Sequence, residues 1–258
     1  MLPEFLHEFQ AGLEKYRLDC ISILAAPLGP EESTGITESK FSGFPYLPVN
    51  MEYPKDQNHI PMLLLAQINF AETPKHPDYP EHGILQFFVS KDWTSIGVDE
   101  ENDHKNYRVL FHEEVEPVHQ TDFSFLTSEL MIESPVISEH RLTFAPKTEF
   151  GGSEDFRFDF EFNGLDIYDY SKQLNEEQQN QLYKFFSCDG HKIGGYAYFT
   201  QEDDRAYDDE KSDDVPILQM DSDEHIMIGD VGVAHFFINA DDLRDRKFEN
   251  AYFQWDCC

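Results

Sequence analysis

Basic residues are scarce in this chain. Against 51 aspartates and glutamates its 258 residues set only 19 lysines and arginines, a formal net charge of −32. A field of that sign repels phosphate backbones and anionic headgroups and attracts basic proteins and divalent cations. It argues against nucleic-acid binding through a basic groove. Cysteine is sparse too: four, at 20, 188, 257 and 258, with no C-x-x-C spacing. That suits neither a zinc knuckle nor a disulfide framework. No apolar run approaches the ~20 residues that cross a bilayer. The opening MLPEFLHEFQ carries acids and a histidine where a signal peptide needs bases and then an apolar run. The terminal Cys-Cys stands one residue beyond the apolar run Ala251–Trp255, without the flexible tail that prenylation uses. These absences predict a cytoplasmic protein with reduced thiols, no membrane partner and no nucleic-acid partner. No P-loop, G-x-S-x-G, H-E-x-x-H or H-x-E…C-x-x-C signature occurs, and none of the eleven histidines pairs at i, i+4.

Aromatics are plentiful, with 23 Phe and 12 Tyr, enough for a substantial core. Their arrangement repeats. Lys40, Gly43 and Tyr46 in KFSGFPYLPV map onto Lys192, Gly195 and Tyr198 in KIGGYAYFTQ at an offset of 152. At the same offset Gln67 in LLLAQIN meets Gln219 in PILQMD. GILQFFV (83–89) then meets GVAHFFI (232–238) at an offset of 149, pairing Gly83 with Gly232 and Asp92 with Asp241. A drift of three residues over three blocks points to an internal duplication.

The repeated blocks read as strands, being short apolar runs rich in aromatic and β-branched residues. In DFRFDFEF (155–162), Phe156, Phe158, Phe160 and Phe162 alternate with Asp155, Arg157, Asp159 and Glu161, which predicts a half-buried strand. Tyr107–Val115 and Arg141–Ala145 read as further strands. Helices are predicted over Pro3–Tyr16, from a stripe of Leu2, Phe5, Leu6, Phe9, Leu13 and Tyr16, and from a capping box at Asn175–Gln178 through about Ser187, burying Leu182, Phe185 and Phe186. The expected fold class is α+β: mostly antiparallel β with few helices, the duplication packed as one compact domain over 1–258. Repeat one covers about 1–150, with an insertion at about 93–150, and repeat two about 151–258.

The same blocks, FSGFPYLP, LLAQIN, GILQFF, ILQMDSD, GDVGVAHFF and the closing FQWDC, resemble the YwqG-like bacterial family, a domain family of unknown function. The likeness runs over nearly the whole chain. It implies a bacterial cytoplasmic protein with an internally duplicated fold and brings no catalytic mechanism. Members near toxin–immunity genes make protection against a toxin one implied role. Ala197 stands where the first block has Pro45, so anything relying on that proline exists once.

Four groups of residues carry candidate chemistry. In QMDSDEH, an extended strand would align Asp221, Asp223 and His225 with Gln219 on one face, a donor set suited to Mn²⁺ or a similar cation. It is not an EF-hand, since Ile226 occupies the glycine position and Gly232 the glutamate position. The competing reading is that these acids end a strand and accept turn hydrogen bonds. QEDDRAYDDEKSDDV (201–215) reads as a solvated acidic loop, in which Arg205 with Gln201 and Asp203 could instead clamp a polar ligand. Gln67 and Gln219, inside apolar strands, need partners and are expected to bond the backbone of the opposite repeat, lining a two-fold cleft. Cys188 and His191 could be drawn as a thiol with a base. The segment reads instead as a helix end with Gly190 at positive φ.

These readings favour a non-enzymatic binding protein that uses Gln67, Gln219, Arg205, Asp221 and Asp223 and engages a basic protein partner, such as a toxin, without a cofactor. The alternative is a metal-binding protein or metal-dependent enzyme centred on Asp221, Asp223 and His225. The sequence assigns no catalytic residue and no oligomeric state.

Overall fold

The computed structural model describes residues 2–96, 104–208 and 211–257. Ten strands form one sheet: β1 (Leu18–Pro27), β2 (Lys40–Phe41), β3 (Leu63–Asn69), β4 (Ile84–Val89), β5 (Tyr107–His112), β6 (His140–Glu149), β7 (Lys192–Gly194), β8 (Asp214–Asp221), β9 (Val233–Asn239) and β10 (Tyr252–Asp256). Their spatial order is β10-β9-β8-β7-β1-β6-β2-β3-β4-β5. All named pairings are antiparallel. Helices are few, and the architecture is the mostly antiparallel one expected, in one compact domain. Among the described residues no helix is long and apolar enough to cross a membrane.

The centre of the sheet is the pair β1·β6, in register from Leu18–Glu149 to Pro27–His140. A four-stranded meander flanks it on each side, β2–β5 beyond β6 and β7–β10 beyond β1. Each meander carries one register shift, between Leu64 and Ala66 in the first and between Pro216 and Leu218 in the second. The stretch 93–150 supplies β5 and β6 and so belongs to the sheet itself.

The sheet curls until its two ends meet. Phe87 of β4 lies 4.8 Å from Phe236 of β9, Phe111 of β5 lies 4.9 Å from Phe248, and Trp93 lies 5.1 Å from Trp255. Strand alternation divides the aromatic pairs accordingly. Phe87 and Phe236 join the enclosed core, while Phe88 and Phe237 face the outer layer.

The N-terminal helical turns run from Glu4 to Tyr16, as the apolar stripe predicts. They bury Leu6, Phe9 and Leu13 against Phe162, Tyr170, Leu182 and Phe186. The helix Glu176–Phe186 opens on the expected capping box. The Asn175 side chain accepts the Gln178 amide at 3.0 Å, and the Gln178 side chain accepts the Asn175 amide at 3.2 Å.

Residues 155–162 are not a strand. Asp155 opens a turn, with Phe158 N donating to its carbonyl at 3.0 Å, and Phe162 makes only an isolated bridge with Leu165. The alternating phenylalanines pack on side chains and not on a neighbouring strand, which is why the period of two misleads. Phe156 lies beside the Arg205 guanidinium, Phe158 and Phe160 against Tyr16, and Phe162 against Phe9 and Tyr170.

The K-x-x-G blocks have a steric explanation. Gly43 (φ 80°) and Gly195 (φ 75°) turn the chain just after β2 and β7. A Cβ on Gly43 would stand 2.7 Å from the Glu139 carboxyl carbon, and one on Gly195 would stand 2.4 Å from Glu149 Oε2. Gly164 (φ 82°) has nothing within 4 Å and isolates the backbone cost alone. Gly164→Ala is therefore expected to lose about 1 kcal/mol, and Gly195→Ala about 2–3 kcal/mol because strain and clash add. Urea unfolding midpoints measure both, and equal losses would refute the steric account.

Candidate functional site

Gln67 and Gln219 are fully buried, and each spends its whole amide. Gln67 Nε2 donates to the carbonyls of Ile36 (2.9 Å) and Glu38 (2.8 Å), and its Oε1 accepts Tyr46 N (2.8 Å) and Gln86 Nε2 (2.8 Å). Gln219 Nε2 donates to the carbonyls of Cys188 (2.9 Å) and Gly190 (2.8 Å), and its Oε1 accepts Tyr198 N (2.9 Å) and His235 Nε2 (3.2 Å). Every partner of one network lies 152 or 149 residues from its counterpart. The bonds close within each meander and its own turns, not across to the opposite one. The expectation of cross-bonding and a shared cleft is corrected on that point: a loop running beside each strand already offers two carbonyls at bonding distance.

The networks differ at one member. Gln86 bridges Gln67 Oε1 and the Tyr46 carbonyl, while its own Oε1 accepts His112 Nε2 at 2.9 Å. His235 takes its place in the second network. Because Gln219 Oε1 can only accept, His235 carries its proton on Nε2, which leaves Nδ1 buried and, among the described residues, without a hydrogen-bond partner. Burial, with Arg205 and Lys192 adding to it, drives His235 well below the ordinary histidine value.

Each K-x-x-G lysine is also buried. Lys192 Nζ reaches both oxygens of Glu149, at 2.8 and 3.0 Å, and Tyr196 N donates to the same carboxylate at 2.9 Å. Burial would raise Glu149, but Lys192, Lys147 and these hydrogen bonds outweigh it and hold the carboxyl below the usual range. Lys40 Nζ instead donates to the carbonyls of Gly35 (2.8 Å) and Phe44 (3.2 Å), with Glu139 at 3.9 Å. Burial pushes its ammonium down to about 8.

Arg205 does not clamp a ligand from an exposed loop. It is 1 % exposed, under the Phe237 ring at 4.3 Å. Its guanidinium binds both oxygens of Asp203 (2.9 and 2.7 Å), Asp155 Oδ2 (3.1 Å) and the Asp214 carbonyl (2.9 Å). Asp155 also receives Arg157 and the Ala197 amide. Against the pull of burial, Arg157 and Arg205 hold its carboxyl well below the usual range. The reading of 201–215 as a solvated loop fails at these buried residues, because an arginine there neutralises two carboxylates. Asp209 and Glu210 lie outside the described residues. Gln201 Nε2 donates to the Cys257 carbonyl.

The face expected to align Asp221, Asp223 and His225 does not form. β8 ends at Asp221, whose oxygens accept Gly190 N and Ser222 N, both at 2.8 Å. Asp223 Oδ1 accepts His225 N and Ile226 N in a turn, and Oδ2 stands 3.2 Å from His191 Nε2. His225 points outward, its ring 6.2 Å from that of buried His140. Among the described residues no group of three His, Cys, Asp or Glu could hold a metal ion. The two buried thiols are held protonated: burial pushes Cys20 to about 12 and Cys188 further up. Gly190 has φ 86°, as the helix-end reading required.

A family model described as a domain of unknown function (DUF1963) matches residues 39–257. No curated protein matches the chain.

Lys192→Met leaves the buried Glu149 carboxylate to the half-exposed Lys147 at 3.0 Å and is expected to cost about 3 kcal/mol. Lys40→Met, which mainly frees carbonyls, should cost about 2 kcal/mol or less. Denaturant titration ranks the two, and the reverse order would refute the assigned roles. His235 provides a pH test. Its folded value lies below the ~6.5 of an unfolded histidine, so its stabilisation is complete above that pH. The contribution is lost as pH falls below it, by up to about 1.4 kcal/mol per pH unit. His235→Gln, which installs the residue of the first network, should flatten the stability profile between about pH 7 and 5. An unchanged slope would rule out His235 as its source.

Proposed function

The chain belongs to the DUF1963 family of domains of unknown function, and we propose that it is an acidic binding protein that captures a basic protein through its surface. The observation behind this reading is how its charge is distributed. Lys40, Lys192 and Arg205 are withdrawn into the interior, the last two against buried carboxylates. Most of the 51 acids remain outside, in groups such as Glu31–Glu32, Glu113–Glu114–Glu116 and Glu176–Glu177. Among the described residues no ion pair engages these seven. Such a surface accelerates encounter with a cationic partner and selects against acidic ones. A basic toxin held by an immunity protein is one partner of this class.

The matched amide networks, register shifts and K-x-x-G turns support descent from two copies of one unit, about 1–150 and 151–258, as in the YwqG-like domains that the sequence resembles. On this reading the protein works in the cytoplasm of a bacterium and uses no cofactor.

The test is retention of purified basic and acidic proteins of similar size on the immobilised chain. Basic proteins are expected to bind at low ionic strength and to elute by about 0.5 M salt, where the screening length falls to a few ångströms. EDTA should have no effect. Equal retention of both classes, or loss of binding in EDTA, would overturn the proposal.

A further inference from the structure

The outer faces of the two meanders are covered differently. In the second, Tyr196 is buried: its hydroxyl donates to the Tyr16 carbonyl at 2.7 Å, and Arg157 lies 5.2 Å from its ring. The residue 152 positions earlier, Phe44, is 48 % exposed. No N-terminal helix lies over it. Phe44 stacks on Phe123, with centroids 5.3 Å apart and planes 9° apart, at the edge of a cluster built on Leu47, Tyr53, Met62, Leu64 and Phe88.

Beside that cluster runs an open groove of about 690 Å³, lined by Val49, Met51, Tyr53, Pro61, His119 and Phe125. Its apolar rim is solvent-facing: Val49 is 50 %, Phe125 40 % and neighbouring Val118 65 % exposed. The walls are fixed. Pro48 bridges to His119, Gln120 N donates to the Leu47 carbonyl at 2.9 Å, and Phe125 packs on Tyr53 at 4.9 Å. The border is acidic. Glu52 and Asp122 line the groove, and the approach HEEVEPVH brings exposed Glu113, Glu114 and Glu116, tied to the core where Glu116 N donates to the Tyr46 hydroxyl at 2.7 Å. The lysine that lines it, Lys55, is bound to Glu52 at 2.7 Å.

A contiguous exposed apolar patch with a polar rim marks an interaction surface, and aromatic anchors at its centre supply the affinity. We infer that this groove is the docking site for an amphipathic basic segment of a partner protein, whose apolar side chains seat on Val49, Val118 and Phe125 while its lysines or arginines meet Glu113, Glu114, Glu116 and Asp122. The inference rests on the reading of the protein as a binder of basic partners, and it gives that reading an address.

Two probes separate the inference from its parent: a helical peptide of leucine and arginine, and an oligolysine of equal charge. Wild-type protein is expected to bind both at low salt and the leucine–arginine peptide more tightly. Val118→Ser/Phe125→Ala should weaken that peptide at least tenfold and leave oligolysine unchanged. Val118→Asn, uncharged and at the most exposed of these sites, should do the same without loosening the aromatic cluster. Glu113→Gln/Glu114→Gln/Glu116→Gln should weaken both probes and reduce their salt dependence. If both Val118 variants bind the peptide as wild type does, the groove is not the site, although the acidic surface still is. If neither probe binds the wild-type protein at low salt, the parent reading fails and the groove with it.

Discussion

The antiparallel pair β1·β6 is the constraint on which the rest of the molecule depends. Each of its strands is ten residues long, and each serves the meander that follows the other in the chain: β1 pairs with β7, and β6 pairs with β2. The chain leaves β1 to build β2–β5 beyond β6, then passes through β6 to build β7–β10 beyond β1. Neither meander can complete its sheet without a strand from the other side. Local meanders close cheaply in entropy, whereas this pair joins residues more than a hundred positions apart. The single compact domain follows from that exchange. Its exposed edge is blunted as edges usually are: β2 covers only His140 and Arg141, and farther along β6 carries Pro146, which cannot donate to an added strand.

β6 also carries the charges that lock the exchange. Glu139 precedes it and Glu149 ends it, and each is turned toward the K-x-x-G block of one meander. The glycine gives the carboxylate room to approach, and the lysine compensates it. A chain with only 19 bases places two of them, Lys192 and Arg205, where a buried carboxylate would otherwise be intolerable. Solvated surface acids need no such partner. The excess negative charge therefore collects outside, where acids far outnumber the remaining bases.

Much of this was legible before any coordinate. Short apolar runs rich in aromatic and β-branched residues marked GILQFFV and GVAHFFI as strands, and Asn175 with Gln178 announced a helix start, since both signals arise from residues close in sequence. Matched offsets exposed the buried glutamines because Gln67 and Gln219 repeat a role, and the same alignment already set His235 opposite Gln86. Other elements were misread where long-range partners decide. DFRFDFEF alternates as a strand does, yet Asp155 is held by Arg205, fifty residues away, and nothing in eight residues records that. The QMDSDEH stretch resembles a ligand set only while it stays extended. Asp223 accepts two amides from its own turn, so the period-two face dissolves. Glu149 escaped notice altogether, because a lone glutamate ending a strand looks like any surface acid.

The polar interior has little left with which to do chemistry. Gln67 and Gln219 fill every donor and acceptor, Arg205 is enclosed by carboxylates, and the two buried thiols are held protonated. Buried groups of this kind fix one conformation rather than receive a substrate. Where two structural units are this alike, positions that match serve the shared fold, and positions that differ are free to serve something else. His235 for Gln86 is an internal difference that changes only how stability responds to protons. The contrast between buried Tyr196 and exposed Phe44 is external. It leaves aromatic surface facing water beside a run of unpaired glutamates, an arrangement that folding alone does not require.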